Sequence, residues 1–146
     1  MREFSLPLRV YIEDTDAGGI VYYVNYLKYM ERGRTELMRH LGFHKPAFIE
    51  QGLMLVVHSA QVNYRRPARL DEALTVTAGV NKLAHSYLVF EQRVLRDNEL
   101  LCDGEIKVVC VLQKTLRPCP LPQPVRTAIA RWTEQGGGAG SVIDNS

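Results

Sequence analysis

Apolar residues recur along this chain with a period that changes from segment to segment. Over residues 6–13, Val10 and Ile12 alternate against Arg9, Tyr11 and Glu13, which predicts a strand. Over residues 26–41, Tyr26, Leu27, Met30, Gly33, Leu37, Met38 and Leu41 recur at three- and four-residue spacing, the stripe of an amphipathic helix. Asn25 stands where a side-chain oxygen caps a first turn, and Gly42 where a left-handed residue ends a last one. Gly33 inside the stripe costs about 1 kcal/mol against alanine, which predicts close approach of this helix to a sheet. Residues 46–51 read as a short helical turn before Gly52.

Strands dominate the rest. Residues 54–65 are predicted to place Met54, Val56, His58, Ala60, Val62 and Tyr64 on one face, with Asn63 and Arg65 on the other. Residues 67–72 connect to three more strands, 73–81, 87–96 and 100–113. Asp97 and Asn98 make a tight turn between the last two. Residues 82–86 join the preceding pair. Pro118, Pro120, Pro122 and Pro124 exclude regular structure. Residues 125–135 read as a short terminal helix carrying Trp132, and the Gly-rich residues 136–146 as a flexible tail. One long helix against an antiparallel sheet is an α+β arrangement, expected here as a single domain over residues 1–135. Its exposed sheet edges predict self-association.

Composition narrows the functional classes. A chain of 146 residues with 46% apolar and 23% charged side chains has the balance of an ordinary globular protein. A net charge of +2 is too small to indicate nucleic acid. No segment reaches the length of a membrane span, and Met1-Arg2-Glu3-Phe4 lacks the apolar run of a secretory leader. Cys102, Cys110 and Cys119 have no metal-ligand spacing and are expected as reduced, neutral residues. These features predict a cytoplasmic protein.

The chemistry centres on the acidic turn before the helix. Asp14 and Asp16 precede a helix N-terminus, where free amides and the positive dipole end collect. A carboxylate beside oriented amides suits attack on a carbonyl with capture of the oxyanion. The run Asp14-x-Asp16-x-x-Gly19 copies the opening of a calcium loop, but Asn25 stands where a bidentate Glu is needed. No metal is expected. On the helix, Glu31 and Arg34 are spaced to form an ordinary surface ion pair, and Glu31 is the runner-up acid. His58 is expected packed on an apolar strand face, His85 on the surface, and His40 and His44 beside the last helix carbonyls.

The run Tyr11-Ile12-Glu13-Asp14-Thr15-Asp16-Ala17-Gly18-Gly19-Ile20-Val21-Tyr22-Tyr23-Val24-Asn25-Tyr26, followed by Glu31 and Arg34, resembles the signature of the 4-hydroxybenzoyl-CoA thioesterase family of hotdog-fold proteins. The run Val62-Asn63-Tyr64-Arg65-Arg66-Pro67-Ala68-Arg69-Leu70-Asp71-Glu72 is similar to the acyl-CoA thioesterase branch associated with the Tol-Pal system. The resemblance covers about residues 6–115 and implies a hotdog fold, a sheet wrapped around the long helix. It also implies homodimers or homotetramers with sites at the dimer interface, acyl-CoA as substrate, and no cofactor.

By the same resemblance Asp16 is the nucleophile or general base, and the Tyr23 amide holds the oxyanion. Gly19, Val21, Tyr22 and Tyr26 are expected to bind substrate, and Tyr22, Tyr23, Tyr26 and Tyr29 are candidates to line an aromatic acyl pocket, although aromatic residues at these spacings are more often core. The phosphates of coenzyme A need cations. Arg65, Arg66 and Lys82 are the first choices, with Arg69 and Lys28 also available. The Tol-Pal-associated branch commonly has His where Tyr23 stands, and the hydroxybenzoyl-specific enzyme has Tyr. A backbone role survives that exchange, whereas side-chain proton transfer does not, because Tyr titrates near about pH 10. An acyl-carrier-protein thioesterase and a non-catalytic acyl-CoA binding protein are the alternatives.

Overall fold

Along the strand Tyr87–Arg96, Leu88, Phe90, Gln92 and Val94 are buried and alternate with less buried residues, so one face of the sheet receives the long helix. The computed structural model describes residues 1–44 and 52–135. Its elements are β1 (Phe4–Arg9), α1 (Asn25–His40), β2 (Leu53–Tyr64), β3 (Ala73–Leu83), β4 (Tyr87–Arg96), β5 (Glu99–Leu112) and α2 (Gln123–Gln135). The strands form one antiparallel sheet in the order β1-β3-β4-β5-β2. With α1 against it, this is the hotdog arrangement, an α+β fold.

The apolar stripe of α1 buries Tyr26, Tyr29, Met30, Leu37 and Met38 against Phe90, Val94 and Ile106 of the sheet. Gly33 is the point of closest approach. A Cβ there would lie 3.1 Å from Gln92 Nε2. Gln92 is fully buried and joins the two layers. Its Nε2 donates to Met30 O at 2.8 Å and to Thr77 O at 3.1 Å. Its Oε1 accepts from Arg34 Nη1 at 2.9 Å. The helix stops as its sequence predicts. Gly42, at φ +103°, donates to Arg39 O, and Phe43 N–H reaches back to Met38 O, the paired bonds of a glycine-ended helix.

Five expectations are corrected. β1 ends at Arg9, not at residue 13. Residues Ile12–Asp14 form a 3-10 turn, closed where Asp14 Oδ2 accepts from Tyr11 N–H at 2.9 Å. Val10 is buried and Ile12 exposed, so the alternation there imitates a strand without pairing as one. Asn25 is not a side-chain cap but the first residue of α1, and its amide Nδ2 donates to Asp14 O. In β2 the register shifts between Val57 and Ser59, so His58 sits exposed in a bulge rather than packed. The extra residue turns Val57 and Ala60 to the same side, against α1, and breaks the single face predicted from Met54 to Tyr64. The His40 ring meets the Phe4 ring at 5.4 Å rather than a helix carbonyl. Finally, α2 begins at Gln123 and includes Pro124, which a first turn tolerates because its amide would have no intrahelical partner.

Two expectations, the turn over residues 46–51 and the tail over 136–146, lie outside the described residues. The strand bounds otherwise move by a few residues, with β3 reaching Leu83. Asp97 turns at φ +54° between β4 and β5. β1 and β2 are the sheet edges, and residues 57–61 of β2 are exposed.

Replacing Gly33 by alanine sets a helix-propensity gain of about 1 kcal/mol against a squeeze on Gln92, and stability should change by less than about 1 kcal/mol. Leucine there has no such compensation and should cost about 1–3 kcal/mol or more in urea denaturation. Glu3 tests the edge of the sheet. Burial raises its pKa, but the hydrogen bonds of Arg93 and Thr77, together with the Arg93 and N-terminal charges, outweigh burial and hold it below 4.5. A depressed carboxylate stabilises the fold above its unfolded pKa. That contribution is lost as pH falls through the folded value. Melting temperature should therefore drop on acidification below about pH 4.5, and Glu3→Gln should flatten that drop.

Candidate active site

Between the 3-10 turn and α1 the chain folds into a small hairpin. Thr15 bridges Val21, Asp16 N–H donates to Ile20 O at 2.9 Å, and Gly19 turns the tip at φ +76°. Asp16 is exposed near that tip. Its Oδ1 accepts from Gly18 N–H at 2.8 Å and, at 3.4 Å, from Ile20 N–H. Oδ2 faces no donor among the described residues.

The hairpin is fastened on two sides. On the first side stands Asp14, which is buried at 8% exposure although it lies only two residues from Asp16. Its carbonyl accepts from Asn25 Nδ2 at 2.7 Å and from Tyr22 N–H at 3.0 Å. These bonds tie the hairpin to the first turn of α1. On the second side lies the connection from β2 to β3. Val21 N–H donates to Ala68 O at 2.8 Å, and Leu70 N–H donates to Gly19 O at 3.1 Å. Ala68 N–H in turn donates to the Tyr26 hydroxyl at 2.9 Å. Arg96 braces the connection from β4, holding both Glu72 oxygens at 2.7 and 2.8 Å and Glu99 Oε1 at 2.6 Å.

This clasp sets the helix entry. The amides of Asn25, Tyr26 and Leu27 fold back onto the carbonyls of Tyr22, Tyr23 and Val24. The amides of Tyr23 and Val24 donate to no acceptor among the described residues. Two free donors therefore sit at the positive end of a 16-residue helix. Beside them is a cavity of about 230 Å³, lined by Val21, Tyr23, Tyr26, Tyr64, Arg65, Arg66 and Pro67. The Tyr64 ring packs edge-on against Tyr23 and Tyr26 at 5.9 and 5.6 Å between centroids.

The structure thus gathers Asp16, Gly19, Val21, Tyr22, Tyr23, Tyr26, Arg65 and Arg66 around one loop and its cavity. Tyr26 lends a buried ring, but its hydroxyl is committed to Ala68. Arg65 pairs with Asp103 at 2.6 Å and Arg66 with Glu99 at 3.2 Å, both at the surface. Lys82 does not join this group. Ala73, at the start of β3, pairs with Arg9 beside the loop, and Lys82 lies nine residues further along, roughly 30 Å for an extended strand. There its ammonium stands over the Tyr87 ring at 5.3 Å.

Glu31 and Arg34 form no ion pair, contrary to expectation. Arg34 turns to the sheet and Gln92, whereas Glu31 is exposed. His85 is exposed, as expected. Sequence reasoning missed the packing of Tyr64 against the site, because the bulge at His58 resets the face of β2. Tyr29, a candidate for an aromatic acyl pocket, is instead buried in the core, and its hydroxyl meets no acceptor at hydrogen-bond distance. Burial, and then the Asp14 charge, hold that phenol well above its usual pKa. Cys102 is a buried neutral thiol, pushed up to about 12 by burial. No described helix is long and apolar enough to cross a membrane.

A family model described as the thioesterase-like superfamily matches residues 10–129, spanning the hairpin, α1 and the whole sheet from β2 onward. The chain belongs to that superfamily. A protein of Escherichia coli described as acyl-CoA thioester hydrolase YbgC is 41% identical over 123 residues, covering 84% of this chain and 92% of its own length. Among solved structures, a probable thioesterase from Bartonella henselae is 32% identical with a TM-score of 0.73, covering 82% of this chain and 98% of its own. The DHNA-CoA thioesterase of Staphylococcus aureus has a TM-score of 0.86 at 22% identity, covering 98% and 99% of the two chains, a likeness of fold.

Asn25→Ala tests the clasp. It leaves the buried Asp14 carbonyl one donor short and should cost about 1–3 kcal/mol in urea denaturation. Hydrogen exchange at the Tyr22 amide, which donates to the same carbonyl, should speed up. Unchanged stability and exchange would remove this bond from the account.

Proposed function

We propose that this chain hydrolyses acyl-CoA thioesters to the free acid and coenzyme A at the hairpin of residues 14–22. The observation that carries the reading is the pair of amides at the entry of α1, Tyr23 and Val24, which meet no acceptor among the described residues and stand seven and eight residues along the same loop from the exposed Asp16 carboxylate. Membership of the thioesterase-like superfamily, and a relative described as an acyl-CoA thioester hydrolase, support the substrate class.

The roles proposed for Asp16 and the Tyr23 amide are those the family resemblance implies. The thioester carbonyl oxygen points at the Tyr23 amide. As the carbonyl becomes tetrahedral its oxygen gains negative charge, which fixed amides and the helix dipole stabilise without reorganising. Asp16 Oδ1 is occupied by the Gly18 amide, so Oδ2 is the working oxygen. It either takes a proton from the attacking water or attacks the carbonyl itself, forming an anhydride that water then opens. In both routes the carbon–sulfur bond breaks, the thiolate leaves as coenzyme A, and one water is consumed. The thiolate is a good leaving group, so the site needs no strong acid beside the sulfur.

The cavity beside Tyr64 takes the substrate at its mouth. Arg65 and Arg66 stand at its rim, each already balanced by one carboxylate, and contribute long-range attraction for the coenzyme A phosphates. The exposed edge strand β2 supports a homo-oligomer in which a second copy pairs along that edge.

Free-thiol release from short, long and aromatic acyl-CoAs tests the proposal, with wild type and Asp16→Asn side by side. Asp16→Asn keeps the shape of the loop but removes the basic oxygen, and kcat should fall about a hundredfold or more with the melting temperature unchanged. Equal turnover by both proteins would remove Asp16 from the mechanism. Turnover confined to thioesters of an acyl carrier protein would replace the substrate class.

A further inference from the structure

A groove leaves the helix entry between α1 and β2. It starts at Val24 and Leu27, next to the free amides, and is walled by Val57, Ala60 and Ile106. It continues into a cavity of about 230 Å³ floored by Leu55, Phe90 and Val108. Arg34 and Glu31 line both, and Lys28 stands on the wall of the groove.

Arg34 differs from four arginines of β4 and the end of β2. Arg65, Arg66, Arg93 and Arg96 each pair with a carboxylate. Arg34 has no carboxylate partner among the described residues, and Gln92 Oε1 is the one acceptor it meets there. A guanidinium has five N–H donors, so most of its hydrogen-bonding capacity is unused. Its orientation is nevertheless fixed. Gln92 is held by Met30 O and Thr77 O, and the guanidinium lies 6.0 Å from the Phe90 ring centroid. Burial draws Arg34 down to about 10, with the Glu31 charge opposing, which leaves it a cation at neutral pH. Arg34 is only partly buried, so its spare N–H groups face the groove and its water, and an oxygen at the tip of an entering chain replaces that water.

We infer that this groove takes the acyl chain of the substrate, and that Arg34 selects chains whose far end carries an oxygen acceptor over plain alkyl chains. The inference rests on the functional reading above. Ten residues of helix separate Val24 from Arg34, about 15 Å at 1.5 Å per residue, so the guanidinium stands one medium-length chain away from the Tyr23 amide. The apolar walls favour methylene groups in between. A hydroxyl or a carboxylate at the tip would accept from the spare N–H groups. An alkyl tip would bury them without a partner, and such mismatches discriminate more strongly than added methylenes do.

The test is kcat/KM for hexanoyl- and decanoyl-CoA and for the ω-hydroxy and ω-carboxy analogue of each, with wild type, Arg34→Met and Arg34→Lys. In at least one series, wild type should favour an oxygen-tipped chain over the alkyl chain by about ten- to a hundredfold, as a charge-assisted hydrogen bond gives. Whether the hydroxy or the carboxy tip gains more identifies the acceptor. Arg34→Met should collapse that ratio and Arg34→Lys should restore part of it, an outcome that a merely structural role would not produce. Turnover with no preference in wild type, or with a ratio that survives Arg34→Met, overturns this inference alone. Absence of turnover on every thioester overturns the functional reading and this inference with it.

Discussion

The carbonyl of Asp14 is the point on which the site depends. It accepts from Asn25 at the start of α1 and from Tyr22 within the hairpin, so one buried oxygen fixes the loop to the helix. The opposite side of the hairpin is held by backbone bonds to Ala68 and Leu70. A short loop fastened on both flanks loses little further entropy when a ligand arrives. Its free amides at Tyr23 and Val24 are then fixed dipoles, which is the condition under which amides stabilise developing charge well. Asp14 and Asp16 therefore divide the labour of one short acidic motif. The buried member holds the frame, and the exposed member is the one proposed to carry the reactive oxygen.

The rest of the fold supports that arrangement from a distance. Arg96 braces the connection that clasps the hairpin, and Gln92 joins α1 to the sheet at the one place where Gly33 lets them approach. These two polar joints lie on the same strand, β4, which sits at the centre of the sheet. Shifting β4 would move both the helix and the loop. The site is thus positioned by a central strand although none of the residues proposed to react lies on it.

Much of this was legible in the sequence, for identifiable reasons. The stripe from Tyr26 to Leu41 and the turn at Asp97 and Asn98 are local signals, and both elements form where their spacing puts them. The acidic motif before the helix pointed to the loop that the structure clasps. Failures occurred where a local pattern was silent about geometry. Val10 and Ile12 alternate as in a strand, yet the Asp14 side chain curls the segment into a turn. One extra residue at His58 reverses a strand face without disturbing the apolar composition around it. Arg34 looked like half of a surface ion pair because Glu31 is near in sequence. Its actual partner, Gln92, is 58 residues away, and only folding brings the two together. Lys82 shows the complementary effect, since strand length carries it to the far end of β3, away from the loop of its own chain.

The account's central claim is that the Tyr23 amide receives the thioester oxygen beside Asp16. A crystal structure of Asp16→Asn with an uncleaved acyl-CoA tests it most directly. The account predicts the thioester carbonyl oxygen about 2.7–3.1 Å from Tyr23 N, with the carbonyl carbon facing the substituted side chain at position 16. A bound thioester whose carbonyl points away from the helix entry, with water on the Tyr23 amide, would contradict it.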